Sequence, residues 1–195
     1  MCISRTSRLS AMRFHSTTLD GVVLIEPDWH HDERGRFGRV FCEDEFAAAG
    51  LPQRFRQCNL STNPREGTLR GMHVNVRSHW ESKLVRCVRG AVFDVMVDVR
   101  PESPTYCRWY GVRLDADEGR ALYAPEGCAH GFLTLEPGTD VYYHMGSAYA
   151  PGAGRGYRWD DPTFDIRWPA TPRVISDRDA TYPDFDAELP DRSGR

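Results

Sequence analysis

No stretch of about 18 consecutive apolar residues occurs in the 195-residue chain, so no membrane-spanning helix is expected. An apolar signal segment is also missing, and cytoplasmic localisation is the expectation. The six cysteines (Cys2, Cys42, Cys58, Cys87, Cys107 and Cys128) are scattered and contain no C-x-x-C pair, so reduced thiols are expected. Charge of one sign is nearly balanced: a net charge of -3 offers no global attraction to a nucleic acid polymer or a membrane surface. Any basic groups that matter must therefore act locally. Internal repeats and low-complexity segments are absent as well. What remains, 40% hydrophobic and 27% charged residues, has the composition of one globular domain. The first stretch, with Arg5, Ser7, Arg8 and Ser10, is basic and Ser-rich like some transit peptides; a loose tail, or translation starting at Met12, is the expectation.

Residues 22–26 form a short β-branched run, and 30–36 are polar and turn-forming, which predicts a strand followed by a loop. A short helix is predicted over 43–49, with Asp44 and Glu45 near its start and Gly50 as its stop. From Lys83 the period becomes two. Leu84, Arg86 and Val88 alternate with Val85 and Cys87, and Ala91, Phe93, Val95, Val97 and Val99 mark one apolar face. With Gly90 between them, the two runs read as a buried hairpin. Further strands are predicted over 107–114, 120–123, 131–135 and 141–145. Many short strands without intervening helices indicate a sandwich or barrel. Beyond Trp168 the chain is polar and rich in proline (Pro169, Pro172, Pro183, Pro190), which predicts a segment wrapped around the outside.

Three clusters carry candidate chemistry. Gln57, Asn59 and Ser61 keep strand spacing, so their polar groups can converge on a ligand, although a solvated strand face has the same pattern. Close behind come the segments Leu69-Arg70-Gly71-Met72-His73 and Lys83-Leu84-Val85-Arg86, which offer a base and cations. The second cluster runs from Pro125 through His130, Gly131 and Phe132; the third pairs Tyr143 with Tyr149. A lone histidine or tyrosine is more often structural than catalytic, so the combination carries the argument.

These segments, with Phe93-Asp94-Val95, Ser103-Pro104-Thr105, Tyr149-Ala150-Pro151, Arg158-Trp159-Asp160-Asp161-Pro162 and Ser176-Asp177-Arg178-Asp179, occur in an order that resembles the dTDP-4-dehydrorhamnose 3,5-epimerase family. The resemblance spans about 19–185. It implies an all-β, cupin-type jelly roll (double-stranded β-helix) with short peripheral helices over 19–185, flanked by flexible tails at 1–18 and 186–195. It also implies a homodimer that uses no cofactor and no metal and binds a dTDP-sugar. By the same matching, His73 falls on the family's base, Asp179 on the aspartate that orients it, Tyr143 on the acid, and Lys83 on the lysine beside the keto oxygen. Arg70 and Arg34 match residues that hold the diphosphate. Phe37, Gln57, Asn59, Ser61, His130, Phe132 and Tyr149 match others that line the site.

The residue types suit the implied reaction. Epimerising a carbon beside a ketone needs a base, a stabiliser for the enolate and an acid on the opposite face. Histidine titrates near neutrality and can accept the proton, and an aspartate would set its tautomer. Tyrosine stays protonated at neutral pH, and a lysine can meet the charge that develops on oxygen.

The chain departs from the family pattern at Arg39, where an acidic residue is common, at Val74-Asn75, at His79-Trp80-Glu81, and at His144, which should point away from the face that carries Tyr143. Arg39 bears on base recognition or dimer contacts, and Val74-Asn75 with His79-Trp80-Glu81 on which sugar is used, while the shape of the pocket decides whether C3, C5 or both react. A metal-dependent cupin is a rival reading, with His73, His79, Glu81 and His130 as ligands. In extended chain, however, His73 and His79 would lie about 20 Å apart. A non-catalytic sugar-nucleotide-binding module is a second rival.

Overall fold

The computed structural model describes residues 12–186; residues 1–11 and 187–195, which hold most of the two expected tails, lie outside it. In chain order its strands begin with β1 (Arg13–Ser16), β2 (Val23–Glu26), β3 (His30–Asp32), β4 (Gly35–Phe37) and β5 (Gln57–Asn63). The next are β6 (Leu69–Asn75), β7 (Lys83–Arg89), β8 (Ala91–Asp98) and β9 (Trp109–Asp115). The last are β10 (Ala121–Ala124), β11 (Cys128–Thr134), β12 (Thr139–Met145) and β13 (Gly154–Gly156). Two short helices complete the fold, α1 (Glu43–Ala48) and α2 (Asp177–Ala180).

Six strands form one sheet in the order β1-β2-β10-β7-β12-β5, and five form a second in the order β13-β6-β11-β8-β9. From β5 onward the chain crosses to the other sheet at every connection except the β8–β9 hairpin. That path is a cupin-type jelly roll. The sheets meet face to face through Val85, Leu122 and Val141 of the first and Val92, Met96, Leu114 and Phe132 of the second.

Both sheets are covered on their outer faces too. Phe46 of α1 and Leu51 pack with Ile25, Leu84 and Ala121 against the six-stranded sheet. Phe164, with Ile166, Trp168 and Phe185, closes over Val95, Val97 and Ala129 of the five-stranded sheet. A six-residue helix has no independent stability in water. Three acidic residues in its first turn favour α1 locally, and full burial of Phe46 contributes about 1.5–3 kcal/mol. Double coverage also explains β11, whose seven residues are all buried.

The helix expected over 43–49 is present as α1, but other local expectations change. The two runs flanking Gly90 are not a hairpin: β7 pairs with β10 and β12, whereas β8 pairs with β11 and β9. Gly90, at φ 71°, turns the chain from one sheet to the other, and a side chain there would strike Thr139. The face marked by Phe93, Val95, Val97 and Val99 looks toward the C-terminal cover, while Val92 and Met96 enter the sandwich. Residues 30–36 hold a small β3–β4 hairpin where a loop was expected, because its exposed polar residues give no burial signal. Residues 13–16, expected in the flexible tail, pair with β2 as an edge strand. Among the described residues no helix is long and apolar enough to cross a membrane.

Candidate active site

The space between the sheets is apolar toward one end and polar toward the other. Along β12 the inward side chains are Val141, in the apolar cluster, then Tyr143 and Met145, in the wall of a cavity. Along β7 they are Cys87 and Val85, then Lys83. The cavity measures about 290 Å³ and is walled also by Ser61, Arg70, His73, His130 and Phe132. A neighbouring space of about 510 Å³ is lined by Gln57, Asn59 and Tyr149. Asn75, Glu81, Tyr143, Met145, Gly154 and Arg178 border both, so the two make one cleft.

Strand alternation would place Arg70 and His73, three residues apart, on opposite faces. A bulge brings them to the same side. On β11, His130 pairs with His73 while Phe132 pairs with Arg70, so β6 carries one extra residue at this point. Gly71 makes the bulge possible: it has φ 133°, and a Cβ there would lie 2.5 Å from the Cα of Gly131. Glycine at both positions lets the two backbones touch. Arg70 Nε then donates to Oδ1 of the fully buried Asn63 at 2.8 Å.

His73 and Asp179, 106 residues apart in sequence, meet with Nε2 2.9 Å from Oδ1. The carboxylate is delivered by α2, whose N-cap Ser176 accepts a hydrogen bond from the Asp179 N–H. Its other oxygen accepts from the Gly71 N–H at 3.1 Å. Burial pushes the Asp179 carboxyl up, but the bonds from His73 and Gly71 outweigh it and hold the group below the ordinary carboxylate range. Being ionised, Asp179 can only accept, which places the proton of a neutral His73 on Nε2 and leaves Nδ1 as the basic nitrogen. A second pair sits beside it, with His130 Nε2 2.7 Å from Oδ1 of the fully buried Asp94.

Lys83 is buried, and its Nζ lies 3.6 Å from Glu81 Oε1. Burial pulls the ammonium below its ordinary value, and Glu81 partly restores it. Burial likewise raises the Tyr143 phenol, with Arg70 opposing and Glu81 adding to the rise, so Tyr143 stays protonated at neutral pH.

The thirteen expected site residues fall into a definite pattern. His73, Lys83, Tyr143, Arg70, Ser61, His130 and Phe132 share the first cavity, Gln57, Asn59 and Tyr149 border the second, and Asp179 stands behind His73. Arg34 and Phe37 line neither: they sit on the β3–β4 hairpin, where Arg34 pairs with Asp32 and Phe37 is 67% exposed. The four ligands of the rival metal reading do not converge. His79 is exposed and bonded to Ser78, and among the described residues no group of three His, Cys, Asp or Glu is placed to hold a metal ion. Arg39 makes a local ion pair with Glu45. His144 packs among Phe41, Phe55 and Tyr142, away from the cleft.

Sequence reasoning passed over Asn63, Arg178 and Arg155, and gave Glu81 a role only as a metal ligand. Asn63 continues the alternation of Gln57, Asn59 and Ser61, and Arg178 lies inside the Ser176-to-Asp179 segment, so both were within reach.

A family profile described as dTDP-4-dehydrorhamnose 3,5-epimerase matches residues 16–187. A dTDP-4-dehydrorhamnose 3,5-epimerase of Methanothermobacter thermautotrophicus is 43% identical over 177 residues, covering 89% of this chain and 95% of its own. A dTDP-4-dehydrorhamnose 3-epimerase of Streptomyces niveus is 41% identical over 169 residues, covering 86% and 81%. The crystal structure of dTDP-4-dehydrorhamnose 3,5-epimerase from Bacillus anthracis, with TDP and PPi bound, superposes with a TM-score of 0.87 at 36% identity, covering 90% of this chain and 100% of that one. With the jelly roll and the cleft already described, these matches establish that the chain is an isomerase belonging to the dTDP-4-dehydrorhamnose 3,5-epimerase family.

Proposed function

We propose that the protein epimerises C3, C5 or both in a dTDP-4-keto-6-deoxyhexose, with His73 as base and Tyr143 as acid, in deoxysugar or rhamnose biosynthesis. The observation that carries this reading is that His73 and Tyr143 stand on different sheets and line one cavity, with Asp179 set behind the imidazole. Nδ1 of His73 removes the proton α to the C4 ketone, and the imidazolium is stabilised by Asp179. The electrons move into the C4 oxygen, and the enolate is met by the Lys83 ammonium in a site where little water weakens the attraction. Tyr143 returns a proton to the same carbon from the other side, and the ketone re-forms with the configuration inverted. Arg70, with Arg155 and Arg178 on the cleft wall, supplies cations for a diphosphate.

We infer a homodimer acting in the cytoplasm. Phe37 on the projecting hairpin and Leu60 on the edge strand β5 are 67% and 60% exposed, and a second copy would cover such surfaces. Presented to a partner's cleft, the hairpin would also give Arg34 a diphosphate to grip. The five described cysteines are unpaired, in keeping with reduced thiols.

The deciding experiment is incubation in deuterated water with dTDP-4-keto-6-deoxyglucose, followed by NMR. Deuterium at C3, C5 or both, with an inverted product, is expected, and the labelled positions identify the carbons that react. Binding of the nucleotide sugar without any incorporation would reduce the protein to a binding module.

A further inference from the structure

Lys83 is the only lysine in the chain, set among 24 arginines, and its buried ammonium faces a cavity otherwise crowded with cationic or neutral groups. Arg70 and His73 approach from β6, His130 and Cys128 from β11, Tyr143 from β12 and Arg178 from α2. Among the described residues Glu81 is the one carboxylate that lines this cavity or its neighbour. It stands two residues before Lys83, so both side chains leave the extended chain on the same side. Its own position is fixed from across the sheet. Ser147 Oγ donates to Glu81 Oε2 at 2.9 Å, and the Gly146 N–H donates to the Ser82 carbonyl at 2.9 Å, docking the segment before β7 against the end of β12. A Cβ at Gly146 would lie 2.3 Å from Ser82 Oγ, so glycine lets the two segments approach without turning the Ser82 side chain aside.

We propose that Glu81 is a positioning residue: braced by Ser147, it holds the Lys83 ammonium charged and aimed at the oxygen where the enolate forms. The inference rests on the role given to Lys83 above. A carboxylate 3.6 Å away, itself only 8% exposed, offsets the cost of burying a lone ammonium among arginines. An ammonium that lost its proton could still donate a hydrogen bond, but it would bring no charge to the enolate. Glutamate at this position also imposes a limit, since a second anion brought against it, rather than against Lys83, would be repelled. The nucleotide's diphosphate is therefore directed to the arginine side of the cleft, and the ketone to the lysine side.

The single lysine makes the test direct, because biosynthetic labelling with [ε-¹³C]lysine yields one side-chain signal whose pH titration reports Lys83 alone. In Glu81→Gln the midpoint of that titration is expected about one to three pH units lower than in wild type, the range an opposite charge at this distance produces. The alkaline limb of kcat should move down by the same amount. Near neutral pH kcat should fall about tenfold or more with KM changed less than about twofold. Ser147→Ala, which leaves the carboxylate in place but unbraced, should shift both readouts in the same direction by a smaller amount, and it carries the test if Glu81→Gln does not fold. Adding Glu81→Gln to Lys83→Met should cost nothing further. An unmoved lysine midpoint, or an additive loss in the double variant, overturns the proposal. Undiminished deuterium incorporation by Lys83→Met alone would instead remove the lysine from the reaction, which is a failure of the functional reading and leaves the lysine titration to decide the coupling.

Discussion

Tyr143 on β12 and His73 on β6 project from different sheets into one cavity of about 290 Å³. Inversion at carbon asks for this relationship, because a base and an acid on the same side could only exchange a proton with retention. A jelly roll supplies it without special construction: from β5 onward most consecutive strands alternate between sheets, so residues far apart in sequence confront each other across the sandwich. The chemistry is then set by which side chains occupy the inward positions at the polar end.

Replacing His73 by Asn removes the basic nitrogen but leaves the arginines and both cavity walls. Deuterium incorporation into the sugar should drop by about 10²–10⁴-fold, while dTDP affinity, measured by calorimetry, stays within about threefold of wild type. Undiminished incorporation would take His73 out of the base role.

Asp179→Asn tests the dyad. The amide can donate to Nε2, which would hold the ring in the tautomer with its lone pair facing away from the substrate, and turnover should fall by about a hundredfold or more. The variant should also change acid stability. The folded carboxyl is depressed, so its contribution is complete above the unfolded value of about 4 and disappears as pH falls through the lower folded value. Wild type should therefore lose stability over that acidic window more steeply than Asp179→Asn, as followed by thermal melts. Parallel melts, or wild-type turnover, would refute the assignment.

Tyr143→Phe keeps the ring and the packing and removes the proton donor. Abstraction by His73 should continue, so label should still enter the substrate with its original configuration, whereas inverted product should fall by about 10²–10⁴-fold. Equal loss of both processes would show that the phenol is needed before proton removal.

Gly71→Ala puts a Cβ 2.5 Å from the Gly131 Cα and 2.9 Å from the His130 carbonyl, at a φ of 133°. Neither obstacle is a flexible side chain. Stability should fall by about 1–3 kcal/mol or more in urea unfolding, and activity should suffer in the folded fraction because the bulge sets both Arg70 and His73. An unchanged urea midpoint would mean the two strands can separate there at no cost.

Local sequence made some of this legible and hid the rest for identifiable reasons. Period-two alternation marks β7, β8 and β12, because burial on at least one face selects apolar residues at every second position. It does not say which strand pairs with which. Gly90 at positive φ serves a hairpin or a corner equally well, and the choice of a corner depends on β10 and β12 lying beside β7. The edge strand β1 and the β3–β4 hairpin bury little and so leave a weak pattern. At the site, the resemblance pointed to His73, Asp179, Tyr143 and Lys83 as candidates, but it could not show that Glu81 turns toward Lys83, or that Arg34 and Phe37 stand away from this chain's own cleft.

By itself the sequence determined the kinds of groups available: one lysine, glycines at 71 and 131 where two backbones touch, and polar residues at strand spacing in particular segments. Those are local properties, settled by side-chain chemistry and backbone sterics. Only the tertiary structure decided that His73 meets Asp179 across 106 residues, that a bulge turns Arg70 and His73 to one side, and that Tyr143 shares their cavity. Such meetings depend on how two twisted sheets stack and which edges pair, and that outcome comes from the summed burial of the whole chain rather than from any one segment.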